Sequence, residues 1–134
     1  SPYNHSEYNF EGTVITVSAS GAYSGYVWYH KSPIFASDCN VIMSKNENET
    51  STEYIFYVLK ALQSEIYKLQ QGAGQPHVYA RDLEKLTVPL APKSLQVQIL
   101  QTINNIQSKI NSLQDEASNI LKDTKMEVEE MILG

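Results

Sequence analysis

The chain has 134 residues, with 10 Lys and Arg against 15 Asp and Glu, and a formal net charge of −5. This acidic balance counts against binding nucleic acid through a broadly basic surface, although it leaves room for a local basic face. No apolar run approaches the roughly 20 residues of a transmembrane helix and no signal-peptide pattern is present. The lone Cys39, interpreted as a buried and unreactive thiol, suits a reducing cytoplasm.

Short β-strands are predicted between residues 13 and 43. The β-branched run at 13–18 and the run at 26–30 flank a glycine-containing loop at 19–25, which predicts a hairpin. Residues 34–36 and 39–43 are two further strand candidates, and residues 1–10 are predicted to form a loop. Strand alternation divides the second run into two faces, one with Tyr26, Trp28 and His30 and one with Val27, Tyr29 and Lys31. The sequence leaves open which of these faces is buried.

An amphipathic helix is predicted to begin after Thr50. Thr50 and Glu53 have the spacing of a capping box, and the apolar side chains that follow share one helical face: Ile55, Phe56, Leu59, Leu62, Ile66 and Leu69. Gly72 is placed to end this helix at a C-cap. A flexible loop at 71–77, a helical turn at 81–85 and a strand at 86–90 are expected after it.

A long helix is predicted from Ser94, its N-cap, to the end of the chain, after Pro89 and Pro92 have stopped any earlier helix. Its apolar side chains step alternately by four and three residues, as in the a/d seam of a coiled coil: Ile99, Ile103, Ile106, Ile110, Leu113, Ala117 and Ile120. We therefore expect an α+β body at 1–93, with a small mixed or antiparallel sheet and a packed helix. A coiled-coil spacer and dimerisation helix at 94–134 follows it.

The order of these elements resembles a target recognition domain of a type I restriction–modification specificity subunit, together with the helix that follows it. Three segments of the body carry the resemblance: a glycine-punctuated strand–turn–strand at 12–27, a glycine and glutamine loop at 72–78, and a leucine-rich approach to proline at 82–90. A proline–leucine–proline stretch at 89–92 then leads to Leu95, Gln98 and Ile99. Val97 stands where the family usually has Glu. The family's N-terminal strand–helix part is missing, so we expect the body to be N-terminally incomplete.

The resemblance implies a non-catalytic specificity subunit that reads one part of a split target in double-stranded DNA. It also implies that the helix pairs antiparallel with a second copy or with the other half of the subunit. Methyltransferase and restriction subunits would supply the chemistry, in the cytoplasm. An alternative remains open, in which the coiled coil oligomerises and the body binds protein rather than DNA. The acidic balance favours this alternative, whereas the two polar loops and the order of elements favour DNA reading.

Candidate DNA-binding residues lie on the two glycine-containing loops and beside them. Base edges are read by side chains that offer donors and acceptors, so we predict DNA contacts by Ser18, Ser20, Tyr23, Ser24, Gln71, Gln75 and His77. Lys31, with His30, and Arg81 are predicted to contact phosphate. From the residues alone, Arg81 and Lys85 fit surface ion pairs equally well. Both loops are also compatible with ordinary hairpin and helix-end loops. No nucleophile–base pair, metal-ligand spacing or phosphate-binding glycine loop is present, so we predict no catalytic residue, metal or cofactor.

Overall fold

The computed structural model describes residues 12–134, and its body contains a three-stranded antiparallel sheet. Strands β1 (Val14–Ser18), β2 (Val27–His30) and β3 (Cys39–Ile42) have the spatial order β2-β1-β3. The predicted α+β class and the hairpin of β1 and β2 are confirmed, and the sheet is antiparallel rather than mixed. Residues 34–36 lie outside the three strands. The loop predicted at 1–10 lies outside the described residues.

One face of the sheet forms the core of the body. Ile15 lies opposite Tyr29 of β2 and Ile42 of β3, and directly opposed residues of antiparallel strands point to the same side. Val27 is buried and Tyr29 stacks on Phe56 with ring centroids 5.0 Å apart, whereas Trp28 is 52% exposed. The face with Val27 and Tyr29 is therefore the core face, which answers the question that the sequence left open.

Two short helices cover this face. Helix α1 (Thr52–Ala61) is capped by Ser51, whose side chain accepts a hydrogen bond of 3.1 Å from the backbone N–H of Tyr54. The predicted capping box is therefore wrong by one residue. The helix is interrupted at Leu62 and continues as α2 (Gln63–Tyr67). The core joins these helices to the sheet through Ile15, Val17, Val27, Leu59, Ile66, Val78 and Leu83.

The segment between the second helix and the long helix departs from the predictions in three places. Gly72 is not a C-cap, because α2 ends at Tyr67. The turn predicted at 81–85 is present as α3 (Ala80–Leu83). Residues 86–90 form no strand, although Leu86 and Val88 pack against the core, and the Tyr54 hydroxyl donates 2.8 Å to the carbonyl of Pro89.

The long helix α4 (Lys93–Leu133) has 41 residues, which corresponds to about 60 Å at 1.5 Å per residue. It begins one residue before Ser94, which is therefore inside the helix and not its N-cap. The carbonyl of Pro92 accepts the first backbone bonds, from the N–H groups of Leu95 and Gln96. Contacts divide the chain into a compact unit that ends at Gln96 and a second one, Val97–Gly134. Among residues 12–134, no helix has the length and apolarity to cross a membrane.

Gln96, in the first turn of α4, has a fully buried side chain. Its amide oxygen accepts from the backbone N–H of Ser51 at 3.1 Å. Its amide nitrogen donates to the carbonyls of Glu49 at 3.0 Å and Ala91 at 2.8 Å. This one side chain joins the loop before α1 to the segment before α4, a role that the sequence did not reveal.

Candidate functional site

The first loop (residues 19–25) and the second loop (residues 71–77) lie side by side. The backbone N–H of Gly21 donates to the carbonyl of Pro76 at 3.0 Å, and the N–H of Val78 donates to the carbonyl of Ala19 at 2.9 Å. An isolated antiparallel bridge also pairs Ser20 with His77. The two polar loops of the sequence therefore form one continuous surface.

Gly25 fixes the end of the first loop against the core. Its φ of +93° lies in the left-handed region that favours glycine. A Cβ at this position would lie 3.2 Å from Ile66 and 3.3 Å from Val78. The Gly25 N–H donates 2.7 Å to the carbonyl of Ser18, which closes the loop at its base.

Two glutamine side chains hold the backbone of the first loop from the side of α2. Gln63 donates 2.7 Å to the carbonyl of Gly25 and accepts 3.0 Å from the N–H of Val27. Gln70 donates 2.7 Å to the carbonyl of Ser24. The sequence gives no sign of this role for Gln63, because its partners are 36 to 38 residues away.

The second loop is closed by reciprocal backbone bonds between Gln71 and His77, each N–H donating 2.8 Å to the other's carbonyl. Gly72 has a φ of +106°, and a Cβ there would lie 2.9 Å from the carbonyl oxygen of Gln75. The loop can therefore turn this tightly only with glycine at position 72. The Gln75 side chain is exposed at the tip.

The predicted DNA-binding residues of the two loops differ in their exposure. Tyr23 is 76% exposed and Gln75 is also exposed, so both side chains can contact a partner. Ser18 and Ser20 are half-buried, and the Ser20 hydroxyl donates to the carboxylate of Asp38. Ser24 does not fit its prediction, because it is fully buried beneath the loop and cannot reach DNA.

The remaining predicted residues are divided between the loop surface and another part of the body. The amide nitrogen of Gln71 is engaged, since it donates 2.7 Å to the carboxylate of Asp82. Lys31 is exposed but follows the end of β2 that is remote from the first loop, and its ammonium lies 5.8 Å from the centre of the Tyr29 ring. His77 and Arg81 belong to the loop surface through Tyr79, on whose ring both side chains lie.

The His30 and Cys39 side chains are both half-buried, and burial favours the neutral form of each. Burial lowers the pKa of His30, and the ring lies 2.8 Å from the Thr16 hydroxyl. A neutral imidazole attracts phosphate poorly, so the structure gives no support to His30 as a phosphate contact. Burial, with Asp38 beside it, raises the pKa of the Cys39 thiol. Cys39 is thus less buried than predicted, but its environment disfavours the reactive thiolate.

The described part of the chain contains no group of three or more His, Cys, Asp or Glu side chains arranged to hold a metal ion. The site consists of a pair of tightly hydrogen-bonded loops with exposed amide and aromatic side chains, beside the exposed Arg81 of α3. Such a surface can bind and discriminate a partner that offers donors and acceptors in a fixed pattern.

Comparison with known proteins identifies the family of the chain. A family model for the type I restriction modification DNA specificity domain matches residues 3–122. The chain belongs to this family.

Two relatives and one solved structure agree with this assignment. The chain is 27% identical over 105 residues to the type I restriction enzyme MjaVIII specificity subunit of Methanocaldococcus jannaschii, covering 78% of this chain and 24% of that protein. It is 24% identical over 108 residues to a putative type I specificity subunit of Mycoplasma pneumoniae, and the match covers 80% of this chain and 35% of that protein. The crystal structure of a type I restriction–modification S subunit from M. genitalium has the same fold, with a TM-score of 0.66 and 22% identity over 81% of this chain and 29% of that one. The chain thus spans about a quarter to a third of the length of these proteins.

Proposed function

We propose that this chain is a non-catalytic DNA sequence-specificity module of a type I restriction–modification system. The paired loops would read one part of a split target in double-stranded DNA, and methyltransferase and restriction subunits would carry out the chemistry in the cytoplasm. The observation that carries the proposal is the surface formed by the two loops, in a chain of the specificity-domain family. On it, Tyr23 and Gln75 extend into solvent from backbones that are already fixed.

The rigidity of the loops supports base reading. A base-reading side chain must hold its donor and acceptor within about 0.5 Å of the positions that allow both hydrogen bonds. A pre-organised backbone avoids the entropy cost of ordering on binding. Gln63 and Gln70 supply that order to the first loop, and the Gln71–His77 bonds supply it to the second. An ordinary solvent-exposed loop has no need for two half-buried amide side chains that hold its carbonyls.

The long helix would place two such readers at opposite ends of a coiled coil. Four large seam residues are 41–58% exposed, which leaves an apolar stripe for a second helix: Ile106, Ile110, Leu113 and Ile120. Two copies paired antiparallel would present identical loop surfaces in opposite orientation. The methylated target would then be an inverted repeat, whereas pairing with a different half would give two unlike half-targets.

The proposed function is tested by expressing the chain with its cognate methyltransferase subunit in a host without adenine or cytosine methylation. Sequencing of the host methylome should reveal one bipartite motif. Neither the chain alone nor the methyltransferase subunit alone should produce it, because the first has no visible catalytic constellation and the second has no target reader. Methylation or cleavage of DNA by the purified chain by itself would contradict a non-catalytic role.

Replacing Gln75 with Ala should weaken sequence discrimination by the assembled complex. A bidentate amide contact with an adenine edge contributes about 1–3 kcal/mol of discrimination, so binding to the target motif should fall by that amount and binding to random DNA should change little. Fluorescence anisotropy with a target duplex and a scrambled duplex measures both affinities.

Lys31→Ala is the matched comparison for Gln75→Ala. Lys31 lies away from the loops that would read bases, so its predicted contact is with phosphate, which carries no sequence information. This variant should therefore weaken binding to both duplexes alike and reduce the salt dependence of binding. If Gln75→Ala leaves the motif and the target affinity unchanged, the second loop has a structural role only.

A further inference from the structure

The side chains of every second residue from the end of the second loop onward are stacked on one another and form a column: His77, Tyr79 and Arg81. The rings of His77 and Tyr79 are 5.9 Å apart and 20° from parallel, and the guanidinium carbon of Arg81 lies 4.4 Å from the centre of the Tyr79 ring. Val78 between them is buried, and its N–H donates to Ala19. Because side chains alternate along an extended segment, the inward Val78 directs His77 and Tyr79 outward.

The guanidinium group of Arg81 is available for a partner. Within residues 12–134, it makes no hydrogen bond and no ion pair. The adjacent carboxylate, that of Asp82, instead accepts from Gln71 at 2.7 Å and from Lys85 at 3.5 Å. Of the two basic residues that the sequence left open, Lys85 is therefore the ion-pair partner. Arg81 presents five donors in a plane that stacking on Tyr79 restrains.

We propose that Arg81 is a specificity-determining residue that reads the paired acceptors O6 and N7 of a guanine, and that Tyr79 is its positioning residue. The proposal rests on the DNA-reading function proposed above. A planar base edge accepts a bidentate contact only when the guanidinium plane is aligned with it, which a stacked arginine provides. A phosphate presents its oxygens in many directions and can also be held by a mobile lysine acting as a point charge, so phosphate binding would not require the column.

The column also lies in the right place for this role. His77 ends the second loop, and its backbone is bonded to Gln71 and bridged to Ser20 of the first loop. Arg81 is thus joined to the loop surface through two stacked rings and a closed pair of backbone bonds. The guanine read by Arg81 would lie close to the base read by the tip of the second loop.

The test compares methylome motifs of the complete complex carrying the wild-type chain, Arg81→Lys, Tyr79→Phe or Tyr79→Ala. Arg81→Lys keeps the charge but loses the two parallel N–H donors, so one guanine position of the motif should become degenerate. In duplex binding, the preference of the complex for guanine over the other bases at this position should fall by roughly 5- to 150-fold. Tyr79→Ala should relax the same position, whereas Tyr79→Phe keeps the stacking ring and should preserve the motif. Lys85→Ala, the neighbouring ion-paired lysine, is the control and should leave the motif intact.

The outcomes separate this inference from the proposed function. If Arg81→Lys retains the motif and its affinity, or if it weakens binding to all sequences alike, Arg81 contacts phosphate or nothing, and the inference is overturned. The same holds if the wild-type motif specifies no guanine. A wild-type complex that methylates no motif would overturn the proposed function, and the inference with it.

Discussion

Replacing Ile106 with Asp should convert the purified chain from a dimer into a monomer. Ile106 is a d position of the predicted seam and is 54% exposed when the helix has no partner. Burying an apolar side chain contributes about 1.5–3 kcal/mol, and a charge in its place must be desolvated at the centre of the interface. Because each dimer contains the substitution twice, dimerisation should weaken by on the order of 100-fold or more. Sedimentation equilibrium at several micromolar concentrations measures the change.

Asn105→Asp is the matched control, since it adds the same charge one residue away at an outward c position of the heptad. It should leave the dimer intact. A wild-type chain that is monomeric at these concentrations would contradict self-association, and the seam would then serve a different helix. A wild-type dimer that survives Ile106→Asp would place the interface elsewhere on the chain.

The strands and the long helix could be predicted because each follows from a pattern within a few residues. Val14, Ile15 and Val17 form a β-branched run that is buried in the central strand, and the apolar periodicity after Pro92 is that of a helix over its whole length. The face of β2 could not be predicted, since both sets of alternate residues contain aromatic rings. It is determined by Phe56, which comes from a helix that follows β2 by more than twenty residues and stacks on Tyr29.

The errors at element ends have a common physical cause. Thr50 and Ser51 are both competent N-caps, and Ser51 caps the helix in the structure, where its backbone N–H donates to the amide oxygen of Gln96, 45 residues away. Residues 86–90 have the alternation of a strand, and Leu86 and Val88 do pack inward. No described strand pairs with them, and the Tyr54 hydroxyl satisfies the Pro89 carbonyl instead. Local propensity gave the inward face correctly but not the backbone partner.

In the candidate site, the residue types of the two loops could be predicted from the sequence, but their contacts could not. Glycine, glutamine and serine in the two loops are visible in the sequence, and so is the tip position of Gln75 between Gly74 and Pro76. That the loops adjoin depends on long-range bonds such as Gly21 to Pro76. The burial of Ser24 and the stacking of Arg81 on Tyr79 likewise arise only from tertiary structure.

Replacing Gln96 with Leu should destabilise the body more than any loop substitution discussed above. Leu has nearly the volume of Gln but can neither accept from Ser51 nor donate to Glu49 and Ala91. Each buried polar group left without a partner costs about 1–3 kcal/mol, so the total loss should reach several kcal/mol. The N–H of Ser51 contributes most, because it belongs to the cap of α1. Urea denaturation followed by tryptophan fluorescence reports on Trp28 within the sheet and measures the free energy of unfolding.

Gln98→Leu is the control for this prediction, because Gln98 is an exposed residue of the same helix with the same side chain. Both variants must be compared at one protein concentration, since a paired helix adds a concentration-dependent term to stability. Gln98→Leu should change the free energy of unfolding by less than about 0.5 kcal/mol, as is usual for surface substitutions. Equal stability of the two variants would mean that the three bonds of Gln96 are replaced by water at no cost. The junction between the loop before α1 and the start of α4 would then depend on other contacts, namely Tyr54 with Pro89 and Lys93 with the carbonyl of Glu47.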